Sequence, residues 1–478
     1  MNRSIRRLYL TLAAGFGLLV VMLGWWQVVA AGDLRDRPDN RQTQQAERLI
    51  DRGRIISSDG KILAASRAVR VEGRRVFERL YPQGDLAAHA VGYTSDSRGK
   101  TGIESTYNRY LSGSFGTEPL LQRLNLKEKR GADVRLSIDT RIQRVAQEAL
   151  AGQRGSVVAI DPTTGQVLAM ASSPTFDLQT AITDYGSIPT EGGPFLDRAA
   201  GGAYAPGSTF KVVTATAALE SGAFTADSTF TDTGSYDTPG GEIRNFGNET
   251  FGTHTLTTAL TNSINTTFAS IGDSLGPLTL GGTMDAYGFG TRPPIDLPDD
   301  QVRTSGRRGP GGRLLPNDEQ GEDVARIAIG QEKLVVTPLQ MAMVVSAVAN
   351  RGTLLAPTLM ARISDRGGSE VQRSSPREIG QVMSAADAAE LTSMMENVVR
   401  EGTGTAAALS AAGVTVAGKT GTAESSDSSR NQAWFIGFAP SIDPVVAVAV
   451  VIEDTSSTGG AVAAPVAAEV MRAAIEAR

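Results

Sequence analysis

The chain has 478 residues, of which 41% are hydrophobic, and its formal net charge is −5. This length allows two or three domains with sizeable cores, and the charge gives no reason to expect nucleic acid as a partner. The chain contains no Cys and only two His, His89 and His254. These counts exclude a thiol nucleophile and a Cys/His zinc site, and we predict neither a metal nor a cofactor. A serine–histidine–carboxylate triad would have to use one of the two histidines.

The N-terminal region contains a stretch without charged side chains, residues 8–31. At about 1.5 Å per residue it is long enough to span a bilayer. Trp25 and Trp26 fit an aromatic belt at one membrane surface. The segment 28–30 resembles a signal-peptide cleavage site, but the apolar run is longer than a typical signal. We therefore predict a cytoplasmic tail over residues 1–7 and an uncleaved transmembrane anchor over residues 8–31.

Residues 32–134 are predicted to form a small β-rich pedestal domain. The region begins with a polar linker, 33–40, and continues with short strands such as 54–57 and 61–65 around an Asp59-Gly60 turn. It contains no catalytic constellation and looks too short for a glycosyltransferase domain. We interpret it as a support that lifts the next domain and contacts partners.

Residues 135–478 are predicted to form an α+β domain, in which helices surround an antiparallel sheet. Asp139 is the expected cap of a helix over 138–151, and a hairpin is expected over 157–171. The Gly- and Arg-rich stretch 303–313 is predicted to be a mobile loop, with a glycan contact as the alternative interpretation. Near the C-terminus we predict strands over 433–438 and 445–452, and then an Ala-rich helix over 461–477.

Ser-x-x-Lys occurs three times, as Ser58/Lys61, Ser97/Lys100 and Ser208/Lys211. The first two run through turn sequences, whereas Ser208 opens a helix-compatible run that ends near residue 221. Residues i and i+3 share a helix face, so Lys211 is expected to reach the Ser208 hydroxyl. Arginine cannot accept a proton, but lysine can if burial or a second cation lowers its pKa. Lys419 is the candidate for that second cation.

Two further motifs follow Ser208-Thr-Phe-Lys211 in order, Ser263-Ile-Asn265 and Lys419-Thr-Gly421. The first is predicted on a loop between two helices, where Ser263 relays a proton and Asn265 bonds a substrate amide. A helix cap is its alternative interpretation. The second follows a β-branched run, and Gly418 and Gly421 are expected to leave room for a ligand backbone beside the strand. A peptide would then add as an extra strand, held by the Lys and Thr side chains at its carboxylate.

The ordered triplet resembles that of class B penicillin-binding proteins, most closely the actinobacterial penicillin-binding protein A type. The resemblance covers nearly the whole chain, and further motifs carry it: Arg52-Gly53-Arg54-Ile55, Gly102-Ile103-Glu104, Ile329-Gly330-Gln331 and Ala433-Trp434-Phe435-Ile436-Gly437. Two positions depart from the pattern. Gln432 stands where relatives often carry His, and Glu332 stands where many have Gly.

The resemblance implies a peptidoglycan D,D-transpeptidase that β-lactams acylate. It implies Ser208 as the nucleophile and Lys211 as the base, with the remaining site residues being Ser263, Asn265, Lys419, Thr420, Gly421 and Thr422. The backbone N–H groups of Ser208 and Thr422 would form the oxyanion hole.

The same resemblance implies a single-pass protein of the cell membrane with its catalytic domain outside the cytoplasm. The implied partners are stem peptides ending in D-Ala-D-Ala, β-lactams, a glycosyltransferase and other proteins of division or elongation.

Other functions remain open at the level of sequence. A β-lactamase needs a group that activates water for deacylation, and no Glu-x-x-Leu-Asn segment lies between Ser263 and Lys419. A D,D-carboxypeptidase is a second alternative. A non-catalytic β-lactam sensor or division scaffold would keep the same motifs.

Overall fold

A computed structural model describes residues 3–29, 48–115, 130–319, 321–423 and 430–478. At the N-terminus, an α-helix over Arg3–Gly24 continues as a π-helical turn over Trp25–Val29. The segment Arg3–Gln27 is long and apolar enough to cross a membrane, with a mean hydropathy of 2.0 over its most apolar window. None of that window is buried inside the protein. Residues 30 and 31 of the predicted anchor, and the predicted linker, lie outside the described residues.

The pedestal is built on a six-stranded sheet that also takes strands from much later in the chain. Its six strands are β1 (Ile55–Ile56), β2 (Ile62–Val71), β3 (Arg74–Leu80), β6 (Asp133–Leu136), β16 (Met360–Ser364) and β17 (Glu370–Arg373). They lie side by side in the order β17-β16-β6-β1-β2-β3. β6 crosses the position 134/135 at which the sequence predicted a domain boundary, and β16 pairs with it antiparallel. The two regions therefore share one continuous sheet.

A five-stranded antiparallel sheet forms the centre of the larger region. Its strands are β7 (Gly155–Ile160), β8 (Val167–Ser173), β19 (Ala417–Ala423), β20 (Asn431–Ala439) and β21 (Val446–Thr455). They lie side by side in the order β19-β20-β21-β7-β8. Alternate residues of β20 and β21 enter two different hydrophobic clusters, one on each face of the sheet. Helices Gly459–Glu476 and Thr140–Ala149 cover one face, and helices Lys211–Glu220 and Pro338–Ala349 cover the other. The predicted α+β fold is confirmed.

Shorter elements surround this core. The remaining helices are Ala88–Val91, Gly102–Thr106, Asn108–Leu111, Leu178–Thr183, Arg198–Gly201, Leu256–Thr261, Asn265–Ala286, Val324–Ala328 and Ala385–Arg400. Small two-stranded pairings join β4 (Thr94–Ser95) to β5 (Gly99–Lys100), β9 (Thr229–Asp232) to β12 (Gly252–Thr255) and β10 (Ser235–Thr238) to β11 (Gly241–Arg244). They also join β13 (Gly306–Arg307) to β14 (Leu334–Val335) and β15 (Thr353–Leu355) to β18 (Glu378–Gln381).

The prediction of a mobile loop over 303–313 is wrong at its centre. Gly306–Arg307 forms β13, and Arg307 is only 1% exposed. The Arg307 guanidinium donates to the Pro316 carbonyl at 3.2 Å and lies 3.6 Å from Glu322. An arginine in a glycine-rich stretch is typical of a solvated loop. Arg307 is buried instead because Pro316 and Glu322, which lie outside the stretch, contact its guanidinium.

Candidate active site

Ser208 lies in a 3₁₀ turn, Gly207–Phe210, that leads directly into the helix Lys211–Glu220. Gly207 has φ +51°, and a side chain there would meet the backbone of β19 at about 3 Å. Its N–H donates to the Gly330 carbonyl at 3.1 Å, and Gly330 has no space for a side chain against Gly207. These two glycines let three backbone segments meet at the turn that carries Ser208.

The segment before Ser208 is held by strand β20. The Ala205 N–H donates to Gln432 Oε1 at 2.8 Å, and the Ala205 carbonyl accepts from Trp434 Nε1 at 3.0 Å. Gln432, one of the two departures from the family pattern, therefore keeps a structural contact beside the turn. Both contacts restrict the position from which Ser208 enters the cleft.

Lys211 is completely buried one residue beyond the turn. Its Nζ lies 2.7 Å from the Ser263 carbonyl oxygen, 2.8 Å from Asn265 Oδ1 and 3.2 Å from Ser263 Oγ. The amine thus joins the first two motifs, although the expected contact with the Ser208 hydroxyl is replaced by contacts with Ser263 and Asn265. Burial lowers the pKa of Lys211 well below its ordinary value, and the charge of Lys419 lowers it further.

Ser263 and Asn265 occupy the joint between helices Leu256–Thr261 and Asn265–Ala286, as predicted from the sequence. Ser263 has a left-handed backbone, with φ +59°, which is uncommon for a residue with a side chain. The Asn265 side chain is used at both ends: Oδ1 accepts from Lys211, and Nδ2 donates to the Arg244 carbonyl at 2.9 Å. One of its two amide hydrogens remains for a ligand.

A buried asparagine and a buried aspartate fix this joint. Asn245 is 4% exposed, and its Oδ1 accepts from the N–H groups of Asn265 and Thr266 at 2.9 and 3.2 Å. Its Nδ2 donates to Asp232 Oδ2 at 2.9 Å, and Asp232 Oδ1 accepts from Thr266 Oγ1 at 2.7 Å. Neither residue was predicted from the sequence, because neither belongs to a motif and their contacts join strand β9, a loop and a helix.

The third motif lies inside strand β19, at the edge of the five-stranded sheet, rather than after a strand. Lys419 pairs with Ile436 and Thr420 with Phe435, and these two partners belong to clusters on opposite faces of the sheet. Lys419 therefore points to the face that carries Lys211, whereas the threonine side chains point to the other face. Lys419 is fully buried, its Nζ donates to the Thr420 carbonyl at 2.9 Å, and burial lowers its pKa to about 7.

The glycines of the third motif make room for the protein itself. A side chain at Gly418 would lie 2.3 Å from the Phe435 ring, and one at Gly421 would lie about 3 Å from Thr209 and Pro206. Gly421 thus lets β19 pack against the turn of Ser208. The expectation that these glycines clear space for a ligand backbone has to be corrected, because protein atoms fill that space.

Helix Gly459–Glu476 begins beside the threonines of β19. The Gly459 N–H donates to Thr422 Oγ1 at 3.3 Å, and Thr420 Oγ1 lies 2.5 Å from Thr403 Oγ1. The N-terminus of an 18-residue helix carries partial positive charge and free N–H groups. This helix end was not predicted as part of the site from the sequence, since about forty residues separate it from the motif.

The three motifs meet in one cleft of about 750 Å³, within the usual size range of ligand pockets. Its lining includes Ser208, Ser263, Asn265, Thr420, Gly421, Thr422, Thr458 and Gly460. Another Ser-x-x-Lys pair, Ser58/Lys61, has no buried lysine and does not line this cleft. Ser58 Oγ donates to the Ile138 carbonyl, and Lys61 is exposed beside a turn. The described residues contain no cluster of His, Cys, Asp and Glu that could hold a metal ion.

A family model described as the penicillin binding protein transpeptidase domain matches residues 155–472, which is more than half of the chain. The chain belongs to the penicillin-binding proteins. A second model of this group, the penicillin binding protein A dimerisation domain, matches residues 52–134.

Relatives over the full length agree with this membership. The peptidoglycan D,D-transpeptidase PbpA of Mycolicibacterium smegmatis is 33% identical over 509 aligned positions, which cover 99% of each chain. PbpA of Mycobacterium tuberculosis is 31% identical and covers 100% of this chain and 99% of its own.

Solved penicillin-binding proteins also share the fold. The ceftriaxone acyl-enzyme complex of penicillin-binding protein A from M. tuberculosis superimposes with a TM-score of 0.80 at 30% identity, over 90% of this chain and 99% of that one. The D,D-transpeptidase domain of a peptidoglycan glycosyltransferase from Eggerthella lenta gives a TM-score of 0.78 at 36% identity, over 90% of this chain and 99% of that one. The predicted family is confirmed.

Proposed function

We propose that this penicillin-binding protein is a peptidoglycan D,D-transpeptidase in which Ser208 forms the acyl-enzyme and Lys211 is the base. The observation that carries the proposal is the position of Lys211. Its amine is fully buried between Ser263 and Asn265. Lys211 is also the first residue of the helix that begins directly after the turn of Ser208. Lysine in such surroundings is a base rather than a cation.

The contacts of Lys211 give an ammonium no counter-charge. The Ser263 carbonyl and Asn265 Oδ1 can only accept, so each takes one N–H of Lys211. Ser263 Oγ, at 3.2 Å, is a longer third contact that accepts from the same amine. Burial with no carboxylate among these partners lowers the pKa of Lys211 and favours the neutral amine, whose lone pair can then accept a proton. During catalysis the lone pair takes the proton of Ser208 as Oγ attacks the penultimate D-Ala carbonyl.

The remainder of acylation follows from the same geometry. The backbone N–H groups of Ser208 and Thr422 stabilise the oxyanion, and the tetrahedral intermediate collapses when the C–N bond to the terminal D-Ala breaks. The proton held by Lys211 passes through Ser263 to the leaving amine. An acceptor amine then attacks the ester, and the same groups return the proton to Ser208.

Strand β19 supplies the donor site. It is an edge strand, so a stem peptide can pair with its outer backbone as an additional strand. Thr420 and Thr422 face the N-terminus of helix Gly459–Glu476, which favours the terminal carboxylate on that side. Lys419 lies on the opposite face and acts mainly through its charge on Lys211.

The N-terminal helix supports a single-pass anchor in the cell membrane, with the catalytic region outside the cytoplasm. Residues 32–134 act as the pedestal and residues 135–478 as the transpeptidase domain, joined through the shared sheet. The relatives PbpA and MrdA are named peptidoglycan D,D-transpeptidases, which supports a role in cell wall synthesis. A role in division or elongation, with a glycosyltransferase among the partners, is part of the same proposal.

The test is labelling of the full chain in detergent with fluorescent penicillin. We expect one adduct on Ser208, loss of labelling in Ser208→Ala, and unchanged labelling in Ser58→Ala, the matched control from another Ser-x-x-Lys sequence. The adduct should persist for minutes to hours, because a transpeptidase excludes water until an acceptor amine arrives.

Two outcomes would contradict the proposal. Labelling of another serine, identified by peptide mapping, would refute the nucleophile. Release of the label within seconds, in the range of ordinary enzymatic turnover of about 1–10³ per second, would instead indicate a β-lactamase.

Depletion of the protein in its host is a separate test, and it should lower the fraction of cross-linked stem peptides.

A further inference from the structure

A second cavity of about 410 Å³ lies where the pedestal meets the catalytic region. We call it the junction cavity and define it by His89 and Tyr93 from the pedestal and by Phe176, Phe195 and Asp197 from the catalytic region. Its size falls within the range of small-molecule sites, and domain junctions are a common place for such sites. No residue of the three catalytic motifs lines it.

The wall of the junction cavity is aromatic. Tyr185 and Phe195 stack with ring centroids 4.5 Å apart, and Phe176 lies 4.8 Å from Phe195. The His89 ring meets Phe176 edge-on at 5.2 Å. These four rings and that of Tyr93, which meets Phe176 at 6.4 Å, form one connected cluster, which gives an apolar surface suited to the flat face of a ring-shaped ligand.

Polar groups stand beside this aromatic wall, and one of them lacks a partner. Asp197 is 8% exposed, and its Oδ1 accepts from Ser172 Oγ and from two backbone N–H groups. Its Oδ2 is buried and has no hydrogen-bond partner among the described residues. Because this oxygen is shielded from solvent, it is not open to a ligand, and the carboxylate that a ligand can reach is that of Asp300 at the rim.

The rim of the junction cavity adds both hydrogen-bond donors and hydrogen-bond acceptors. Gln301 Oε1 accepts from the Gly102 N–H at 3.1 Å, which leaves its amide hydrogens available. Asp300 and Arg303 are exposed at the rim. The rim thus offers acceptors and donors together, as a ligand with several hydroxyl or amide groups requires.

The charges around the junction cavity balance. The lining carries the carboxylates of Asp197 and Asp300 and the guanidinium of Arg303, and a second guanidinium, that of Arg98, lies 3.5 Å above the ring of Tyr185, which also lines the cavity. Burial lowers the pKa of His89, so the imidazole adds no charge near neutral pH. A balanced set of charges selects neither an organic cation nor an anion, and favours a neutral polar ligand.

We propose that the junction cavity is a saccharide site that takes a sugar ring bearing hydroxyl and amide groups. The apolar face of the ring packs on the aromatic wall, a hydroxyl or amide N–H donates to Asp300 at the rim, and further polar groups of the sugar reach Gln301 and Arg303. This site goes beyond the proposed transpeptidase function and does not depend on Ser208.

The test uses the full chain in detergent and isothermal titration with N,N′-diacetylchitobiose. Cellobiose, which lacks amides, and putrescine, a dication, are the comparison probes. We expect the amide sugar to bind most tightly, cellobiose to bind more weakly, and putrescine not to bind. Ser208→Ala should bind the sugar as the parent does.

Variants locate the site. Asp300→Ala removes one rim acceptor and should weaken sugar binding about tenfold, the effect of about 1.4 kcal/mol. Asp299→Ala, at an exposed neighbour that pairs with Arg292, is the matched control and should change nothing. Leu196→Trp places a bulky ring at the exposed rim and should abolish binding, while undiminished penicillin labelling reports an intact fold.

Three results would overturn the inference. One is no heat of binding for the amide sugar at its solubility limit. The second is tighter binding of putrescine, which would make the site a cation site. The third is sugar binding that survives Leu196→Trp, because the sugar would then occupy another surface such as the catalytic cleft.

Discussion

Two regions of this protein bury charged side chains completely, and they handle the charge in opposite ways. In the pedestal, Glu104 lies between Arg52 at 2.8 Å and Arg79 at 2.6 Å. In the cleft, the hydrogen bonds of Lys211 among the described residues go only to neutral oxygens, and a second lysine, Lys419, is also buried on the same face of the sheet.

The difference explains the two pKa directions. Burial alone would raise the pKa of Glu104, but Arg79 and Arg52 more than compensate, so that its pKa lies below the ordinary value. For Lys211, burial and the neighbouring cation act in the same direction and lower the pKa. A paired charge keeps its proton state and serves structure, whereas an unpaired lysine gives up its proton and becomes a base.

Replacing Lys211 by Met tests the cleft side of the comparison and has the largest expected effect. The substitution removes the base but nearly keeps its shape, so the penicillin acylation rate should fall by a factor of about 10²–10⁴. The thermal melt checks that the fold survives, because removal of a buried amine is offset by the Ser263 carbonyl and Asn265 Oδ1 losing their donor. Stopped-flow acylation measures the rate, and Lys61→Met, from the exposed Ser-x-x-Lys, is the control. Equal rates in parent and Lys211→Met would exclude lysine as the base.

Replacing Glu104 by Gln tests the pedestal side. Arg52 and Arg79 would then stay buried without a counter-charge, and the free energy of unfolding should fall by about 3 kcal/mol. Urea denaturation measures this loss, and Glu78→Gln, in an exposed pair with Arg67, is the control.

The same pair of proteins gives a pH test. Because the folded-state pKa of Glu104 lies below its unfolded value, its contribution is complete above pH 4.5 and is lost as the pH falls through the folded-state pKa. The parent should therefore lose its advantage over Glu104→Gln in acid. A constant difference down to pH 2 would contradict the ion-pair account.

Asn245→Ala sharpens the comparison, since it removes support from the cleft without touching Lys211. Asp232 loses a donor and the N–H groups of Asn265 and Thr266 lose their acceptor, so stability should fall by about 1–3 kcal/mol. The acylation rate should fall as well, because Asn265 holds Lys211. Asn262→Ala, at an exposed residue, is the control. A stability loss with an unchanged acylation rate would show that Asn245 does not position the base.

The smallest effect concerns the pH–rate profile of the parent. Acylation needs neutral Lys211, so the rate should rise about tenfold per pH unit below its lowered pKa and then level off. The plateau should begin well below pH 10.4, the ordinary value for lysine. A rate that keeps rising up to that value would mean that burial does not shift the pKa of the base.

Local sequence patterns predicted much of the fold and the set of motif residues that meet at the cleft. The hairpin of β7 and β8, the cap Asp139, the joint at Ser263 and the C-terminal helix all follow from turn residues, caps and apolar runs. The three motifs were predicted to meet because their residue types make one chemistry together.

Other features depend on contacts between distant segments, and local patterns are silent about them. Asn245 and Asp232 carry no motif, yet they fix the second one. Arg307 looked solvated and is buried. Strands β16 and β17 join the pedestal sheet from more than two hundred residues away in the chain.

The sequence by itself determined the nucleophile and base candidates, because a chain without Cys and with two His has few ways to activate a hydroxyl. Only the tertiary structure decided what each motif residue contacts. It assigned Lys211 to Ser263 and Asn265, separated Lys419 from the threonines by the alternation of strand β19, and filled the space beside Gly421 with the turn of Ser208. The reason is physical: residue type sets what a side chain can do, while burial and the neighbours brought by folding set its proton state and its partners.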